Sequence, residues 1–386
     1  MIFFYYFLTW TAFLFCAVFI LLLSFLKSKY KTSLKSRFFL YKNLHQEKAD
    51  VHFHACSYGE VRSIKTLVLK FDSRITTITQ TGFECAKEFC KKVNYLAFEN
   101  FLPFWLKPCK VLVIFEAEYW LMLVFMARIY RAKIILLNAR ISDKSYHSYQ
   151  RFSFFYKKIF SYIDEVFAQS DLDKARLESL GAKNVKIFKN IKANLEIKNN
   201  KIYTKPKEKL IIFASTHKDE EELLLDHFKL EENEKLIIAP RHPERFKEVE
   251  NLLLNKKGLE FEKFSSLKDE NKKFSKKILL LDALGELVNF YAISDVVVLG
   301  GSFIEGIGGH NPIEVAYFDN VLISGKFIHN QKALFEEVEN VYFCEKLKDL
   351  NDKIRYLNLK AKISKKENLD LIIQTIQKGI DARKSL

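Results

Sequence analysis

Glu60 follows Gly59 at the start of an amphipathic stretch, in the run His54-Ala55-Cys56-Ser57-Tyr58-Gly59-Glu60. A carboxylate on the first turn of a helix meets free backbone amides and the positive end of the helix dipole. Those should keep it ionised and able to take a proton from a hydroxyl as that hydroxyl attacks. The same position also suits a favourable terminal charge with no chemistry. Glu116-Ala117-Glu118-Tyr119-Trp120 follows the apolar run Val111–Phe115, and Asn138-Ala139-Arg140-Ile141-Ser142 follows Lys133–Leu137. Both are polar clusters where ligands of open α/β sheets bind.

A second group of motifs suits phosphate. Val296–Leu299 runs into Gly300-Gly301-Ser302, and Gly308-Gly309-His310 leads into Asn311-Pro312-Ile313-Glu314. Paired glycines permit close backbone approach, and the helix that follows presents free amides. Capping by Asn311, with Pro312 at the first helical position and Glu314 behind it, explains the last four residues but not the glycines and the histidine. Two more clusters follow apolar runs, Ser215-Thr216-His217 and Pro240-Arg241-His242-Pro243-Glu244-Arg245, in which Arg241 can grip a phosphate or carboxylate bidentately. Gly285-Glu286-Leu287 turns from a strand into a helix in the same setting.

No metal is expected. His52, His54 and Cys56 alternate along one strand, a poor tetrahedral set, and Asp171-Leu172-Asp173 reads as a helix start capped at its far end by Gly181.

Short apolar runs alternating with amphipathic stretches indicate parallel sheets with crossover helices. The expected strands are Val51–Ser57, Arg74–Thr79, Val111–Phe115 and Lys133–Leu137, then Leu210–Ala214, Leu236–Ala239, Lys277–Leu281, Val296–Gly300 and Val321–Ile323, with a helix beginning near Glu118 and a terminal helix from Lys360 to Leu386. A length of 386 residues suits two domains. The expected division is an anchor at 1–26, a first Rossmann-like domain at 27–196, a linker at 197–209 rich in lysine, and a second Rossmann-like domain at 210–386.

Ile2 to Leu26 carries no charge and can cross a bilayer, and Lys27, Lys29, Lys31, Lys35 and Arg37 follow at once, which places the remainder on the cytoplasmic side. The formal net charge of +15 draws the chain to polyanions. Lysine is scattered and no ordered aromatic motif accompanies it, so nucleic acid is the least suited partner. The six cysteines show no paired spacing and read as reduced thiols.

Taken in order, His54–Glu60, Thr79-Gln80-Thr81-Gly82, Glu116–Trp120, Asn138–Ser142, Asn190-Ile191-Lys192, Ser215–His217, Pro240–Arg245, Gly285-Glu286 and Gly308–Glu314 resemble the bacterial Kdo (3-deoxy-D-manno-octulosonic acid) transferases specific for lipid A. The resemblance implies a GT-B glycosyltransferase, with two Rossmann-like domains facing across a cleft behind one N-terminal transmembrane helix. It implies inverting, metal-independent and cofactor-free transfer of Kdo from CMP-Kdo to the lipid A precursor (lipid IVA) at the inner membrane, in lipopolysaccharide synthesis. Glu60 then matches the general base, while Lys192 and one of Glu116 and Glu118 match groups that steady the transition state. CMP falls on Pro240, Arg241, Gly285, Glu286, Leu287, Asn311, Pro312, Ile313 and Glu314, with Ser215, His217 and Gly301 beside them. Ala117 stands where the family usually has threonine, Leu121-Met122 where it has proline-asparagine, and Lys189 where it has glycine. The rival readings are a transferase of the same architecture using a UDP-sugar and a lipid acceptor, and a non-catalytic membrane protein that binds lipid A precursors.

Overall fold

The computed structural model describes all residues except 27–29, 41, 195–196, 198, 200, 257, 268–272, 365–367 and 384–386. The chain divides into two compact units, one of Met1–Leu195 with Glu367–Leu386 and one of Glu196–Lys366.

The first unit is built on a parallel seven-stranded sheet: β1 (Val51–His54), β2 (Ser73–Thr77), β3 (Val93–Tyr95), β4 (Val111–Phe115), β5 (Lys133–Ala139), β6 (Glu165–Ala168) and β7 (Val185–Ile187). Their order is β3-β2-β1-β4-β5-β6-β7. Helices cover both faces, so the central strand β4 is apolar at every position and its alternate residues serve opposite cores. Val111, Val113 and Phe115 pack with Ile64 and Leu67 of the helix Tyr58–Val68, while Leu112 and Ile114 pack with Leu123 and Met126 of the helix Leu121–Ile129.

The last helix spans Asp370–Asp381, preceded by the short strand Lys362–Ile363, so the expected helix from Lys360 is shorter than its sequence suggests. Its apolar stripe of Ile372, Ile376 and Ile380 packs into the core of the first unit, and Gly379 lies so close to the sheet that a Cβ there would come within 2.8 Å of Val111. The division at 210–386 is corrected accordingly: the terminal helix belongs with the first sheet.

The apolar helix Ile2–Leu26 has a mean hydropathy of 2.3 over its most apolar stretch, and Phe3, Phe15 and Leu26 are exposed. By length and composition it can cross a membrane. Its first half rests on the first unit through one aromatic stripe: Tyr6 donates to the Asn100 carbonyl at 3.0 Å, and Trp10 and Phe13 pack edge-on against Phe101. Lys27 and Lys29 of the basic flank lie outside the described residues. Arg37, read as part of that flank, is instead buried, its Nε donating to the Leu96 carbonyl at 2.9 Å and its guanidinium stacked over Phe98.

The second unit carries another parallel seven-stranded sheet. Its strands are β8 (Lys209–Thr216), β9 (Glu234–Pro240), β10 (Phe261–Lys263), β11 (Ile278–Leu280), β12 (Val296–Leu299), β13 (Val321–Ser324) and, beyond a two-residue β14 (Val338–Glu339), β15 (Val341–Phe343). The order is β10-β11-β9-β8-β12-β13-β15. The expected linker is part of this unit: Tyr203 is buried, Lys205 pairs with Asp295 at 2.6 Å, and Lys209 already belongs to β8. Lys198 and Asn200 of that segment lie outside the described residues.

Candidate functional site

Each sheet has one place where successive crossovers leave in opposite directions, and ligands of open α/β sheets bind outside the strand ends there. In the first unit that place lies between β1 and β4, and in the second between β8 and β12. The predicted residues gather at both.

At the first, β1 ends at His54 and Ser57 caps the helix Tyr58–Val68. Ser57 Oγ donates to one Glu60 oxygen at 2.6 Å, and the Cys56 amide donates to the other at 2.8 Å. Both oxygens are therefore held by the turn that starts the helix. A Cβ on Gly59 would meet nothing within 4 Å. The expectation that the helix start keeps Glu60 readily ionised needs correction. Burial pushes its pKa up, and nearby Glu116 and Glu118 push the same way; the Ser57 and Cys56 hydrogen bonds oppose this only in part.

Glu116 sits just past β4 in a left-handed conformation, φ 60°. Its carboxylate meets Lys192 Nζ at 2.5 Å and accepts from Asn138 Nδ2 at 3.1 Å. Buried Asn138 also accepts the Ile191 amide at 3.0 Å, so one side chain fixes both Glu116 and the turn that carries Lys192. Glu118 faces elsewhere, accepting from Trp120 Nε1 at 2.8 Å and lying 3.9 Å from His54 Nε2. The two glutamates thus have different partners, and the helix expected near Glu118 begins at Leu121. Burial holds His54 neutral, its pKa lowered to about 4. His52 points to Thr76 Oγ1 at 2.8 Å and is not grouped with His54 and Cys56 as a metal-ligand set. Asp173 is a helix-start residue, its amide bonded to Ser170 Oγ at 3.1 Å and its carboxylate to the Ile141 amide at 2.9 Å.

At the second switch point the organising residue, Glu220, is not among the expected site residues. Glu220 is fully buried and accepts three backbone amides, from His217 at 2.9 Å, Gly301 at 2.6 Å and Phe303 at 3.0 Å. It ties the loop after β8 to the loop after β12. The glycines make that approach possible: a Cβ on Gly300 would fall 2.8 Å from Thr216 Cα, and one on Gly301 2.8 Å from His310 Cδ2. Gly301 also has φ 70°. His217 and His310 stack with their Nε2 atoms 2.8 Å apart, so one donates to the other. Burial lowers both, His310 to about 3, and the positive Arg241 acts in the same direction. Ser215 stands in the same loop with φ 54°.

Pro240 ends β9 and Arg241 is exposed beside the histidines. Arg245 is already committed, forming a two-pronged pair with buried Glu221 at 2.7 and 2.9 Å. Asn311 caps its helix through the Ile313 amide at 3.0 Å, and the helix, Ile313–Tyr317, starts one residue later than expected, after Pro312. The buried Tyr291 phenol feels both Glu314 and Arg241, which joins the helix Leu287–Tyr291 to this group. Gly285 supplies the turn before that helix with φ 80°. The Glu286 carboxylate turns the other way, to Lys201 at 2.5 Å, Tyr203 at 2.5 Å and Asn289 at 2.9 Å. Burial opposes its ionisation, but those three donors hold it below the usual carboxylate range.

Residues 32–195 match the family described as 3-deoxy-D-manno-octulosonic-acid transferase (kdotransferase). A 3-deoxy-D-manno-octulosonic acid transferase of Haemophilus influenzae is 30% identical over 355 residues, covering 84% of this chain and 82% of that protein. The chain belongs to this transferase family. A bifunctional glycosyltransferase/methyltransferase of Fusobacterium nucleatum is 33% identical over 347 residues, covering 81% of this chain, and the chain spans only 53% of that relative's length. The C-terminal CMP-Kdo binding domain of WaaA from Acinetobacter baumannii is 25% identical, with a TM-score of 0.34, covering 46% of this chain and 85% of that one. As a glycosyltransferase, the chain accommodates its departures from the family pattern locally. Leu121 and Met122 are buried at the start of an apolar helix, and exposed Lys189 is not among the residues with positive φ, so nothing there requires glycine.

Proposed function

We propose that the protein transfers Kdo from CMP-Kdo to the lipid A precursor lipid IVA, with inversion and without a metal, at the cytoplasmic face of the inner membrane. The observation that carries the reading is Glu60, a half-buried carboxylate at the first switch point whose pKa is raised, beside Glu116, Glu118 and Lys192. An acceptor hydroxyl attacks the anomeric carbon of Kdo, its proton passes to Glu60, and the bond to phosphate breaks with its electrons leaving on CMP. A base whose pKa lies nearer neutrality is better matched to that transfer than an ordinary glutamate. Lys192, oriented by Glu116, supplies positive charge near the reacting groups. Nucleotide binding falls to the second unit: Arg241 for phosphate or the Kdo carboxylate, the Asn311-Pro312-Ile313-Glu314 turn for the ribose, and the turn Gly285-Glu286-Leu287, with Ser215, His217 and Gly301 beside them. The apolar helix Ile2–Leu26 and the lysines behind it hold the enzyme to membrane lipid.

Mass spectrometry of lipid IVA incubated with CMP-Kdo tests the reading. A product heavier by one or more Kdo units with release of CMP, unaffected by EDTA, is expected. Consumption of a UDP-sugar instead, or lipid binding without turnover of any nucleotide sugar, contradicts it.

A further inference from the structure

His54, Cys56 and Glu118 converge at the first switch point from two strand ends. His54 Nε2 lies 3.8 Å from Cys56 Sγ and 3.9 Å from Glu118 Oε2, and the ligand atoms of all three fall within 4.8 Å of one another. Tetrahedral zinc with these ligands sets nitrogen and sulfur about 3.5 Å apart and nitrogen and oxygen about 3.3 Å apart. The two contacts to His54 lie within about 0.6 Å of those spacings, while the sulfur and oxygen, within 4.8 Å of each other, must approach to about 3.6 Å around an ion. The surroundings suit it. His54 Nδ1 is 3.1 Å from the Thr76 carbonyl and 2.9 Å from Thr76 Oγ1. Donation there leaves the lone pair on Nε2, the arrangement that orients metal-bound imidazoles. Trp120 Nε1 steadies Glu118 in turn. Two of the three ligands are sheltered, with His54 0% and Cys56 7% exposed, while Glu118 is partly open and leaves a side for water. Arg37 is the opposing charge near Cys56 and Glu118, and Glu60 and Glu116 stand on the other side of the balance. Sequence alone set a metal aside because His52, His54 and Cys56 lie on one strand; the third ligand comes from the loop after β4.

We infer that His54, Cys56 and Glu118 form a three-ligand site for a thiophilic divalent cation of the zinc or cobalt class, with the fourth position open to water. Cys56 gives up its thiol proton to solvent as the sulfur–metal bond forms.

The test uses the full chain in detergent, stripped of metal and titrated with Co²⁺ without oxygen. One equivalent should produce a sulfur-to-cobalt charge-transfer band and the intense visible bands of a tetrahedral site, both removed by Zn²⁺. Cys56→Val should lose the charge-transfer band and bind at least about tenfold more weakly. Absence of the band in the parent overturns the inference, as does a band unchanged in Cys56→Val, which assigns it to another thiol. Should Cys56→Val melt early, His54→Gln serves in its place and must also abolish tetrahedral cobalt. Cobalt binding as described, together with full turnover in Glu60→Gln, keeps the metal site and removes the proton-acceptor reading.

Discussion

The two switch points share a topology and differ in charge. Between β1 and β4 three carboxylates and a lysine crowd together, and burial raises the Glu60 pKa. Between β8 and β12 the interior carboxylate, Glu220, is spent on backbone amides, the histidines are held neutral, and the exposed charge is Arg241. In the proposed reading one site takes a proton and the other receives an anion. The fold supplies two equivalent positions, and the residues at the strand ends decide which chemistry each performs.

Separating those roles by mutation is the sharpest way to break the comparison. Glu60→Gln retains shape, and its oxygen can still accept from the Cys56 amide while its NH2 donates to Ser57 Oγ in place of accepting from it, but it cannot accept a proton, so transfer should fall at least about a hundredfold in steady-state assays. Nearly unchanged turnover would reduce Glu60 to a helix-start residue. Glu220→Ala removes the acceptor of three buried amides and should cost roughly 1–3 kcal/mol in denaturant unfolding, with weaker nucleotide binding. Glu314→Ala should weaken donor binding about tenfold, the loss of roughly one good hydrogen-bonded contact, and leave saturated turnover close to the parent's.

The smallest effect is in pH dependence. Because the pKa of Glu60 is raised, its base form disappears at a higher pH than that of an ordinary glutamate. The acid limb of kcat/KM should therefore lie above the usual carboxylate range, with activity present above it and lost below, and Glu60→Gln should lack that limb. The linkage to stability has the opposite sense. Folded Glu60 holds its proton more tightly than the unfolded chain does, so its contribution to stability declines as pH rises from the unfolded value through the raised one.

Much of this could be read from sequence, and the gaps share a cause. Central strands such as Val111–Phe115 and Val296–Leu299 declare themselves as continuous apolar runs. β3, β7 and β10 are short edge strands, and Val185-Lys186-Ile187 and Phe261-Glu262-Lys263 carry charge, so no continuous apolar run marks them. The stripe Ile372, Ile376 and Ile380 shows that the last helix must pack but not against which sheet. Nothing local separates Glu220 from Glu222 beside it; only the returning loop after β12 makes the first a buried acceptor. Glu60 was located from its glycine and its helix start, whereas its raised pKa depends on burial and on the carboxylates after β4.

The central claim is that proton acceptance and nucleotide binding reside at different switch points, and calorimetric titration of CMP into the parent, Glu60→Gln and Arg241→Ala tests it directly. CMP should bind Glu60→Gln with the parent's affinity and Arg241→Ala at least about tenfold more weakly, as expected for a lost charge-assisted contact to phosphate. Weakened binding in Glu60→Gln with none lost in Arg241→Ala would contradict the assignment of the two sites.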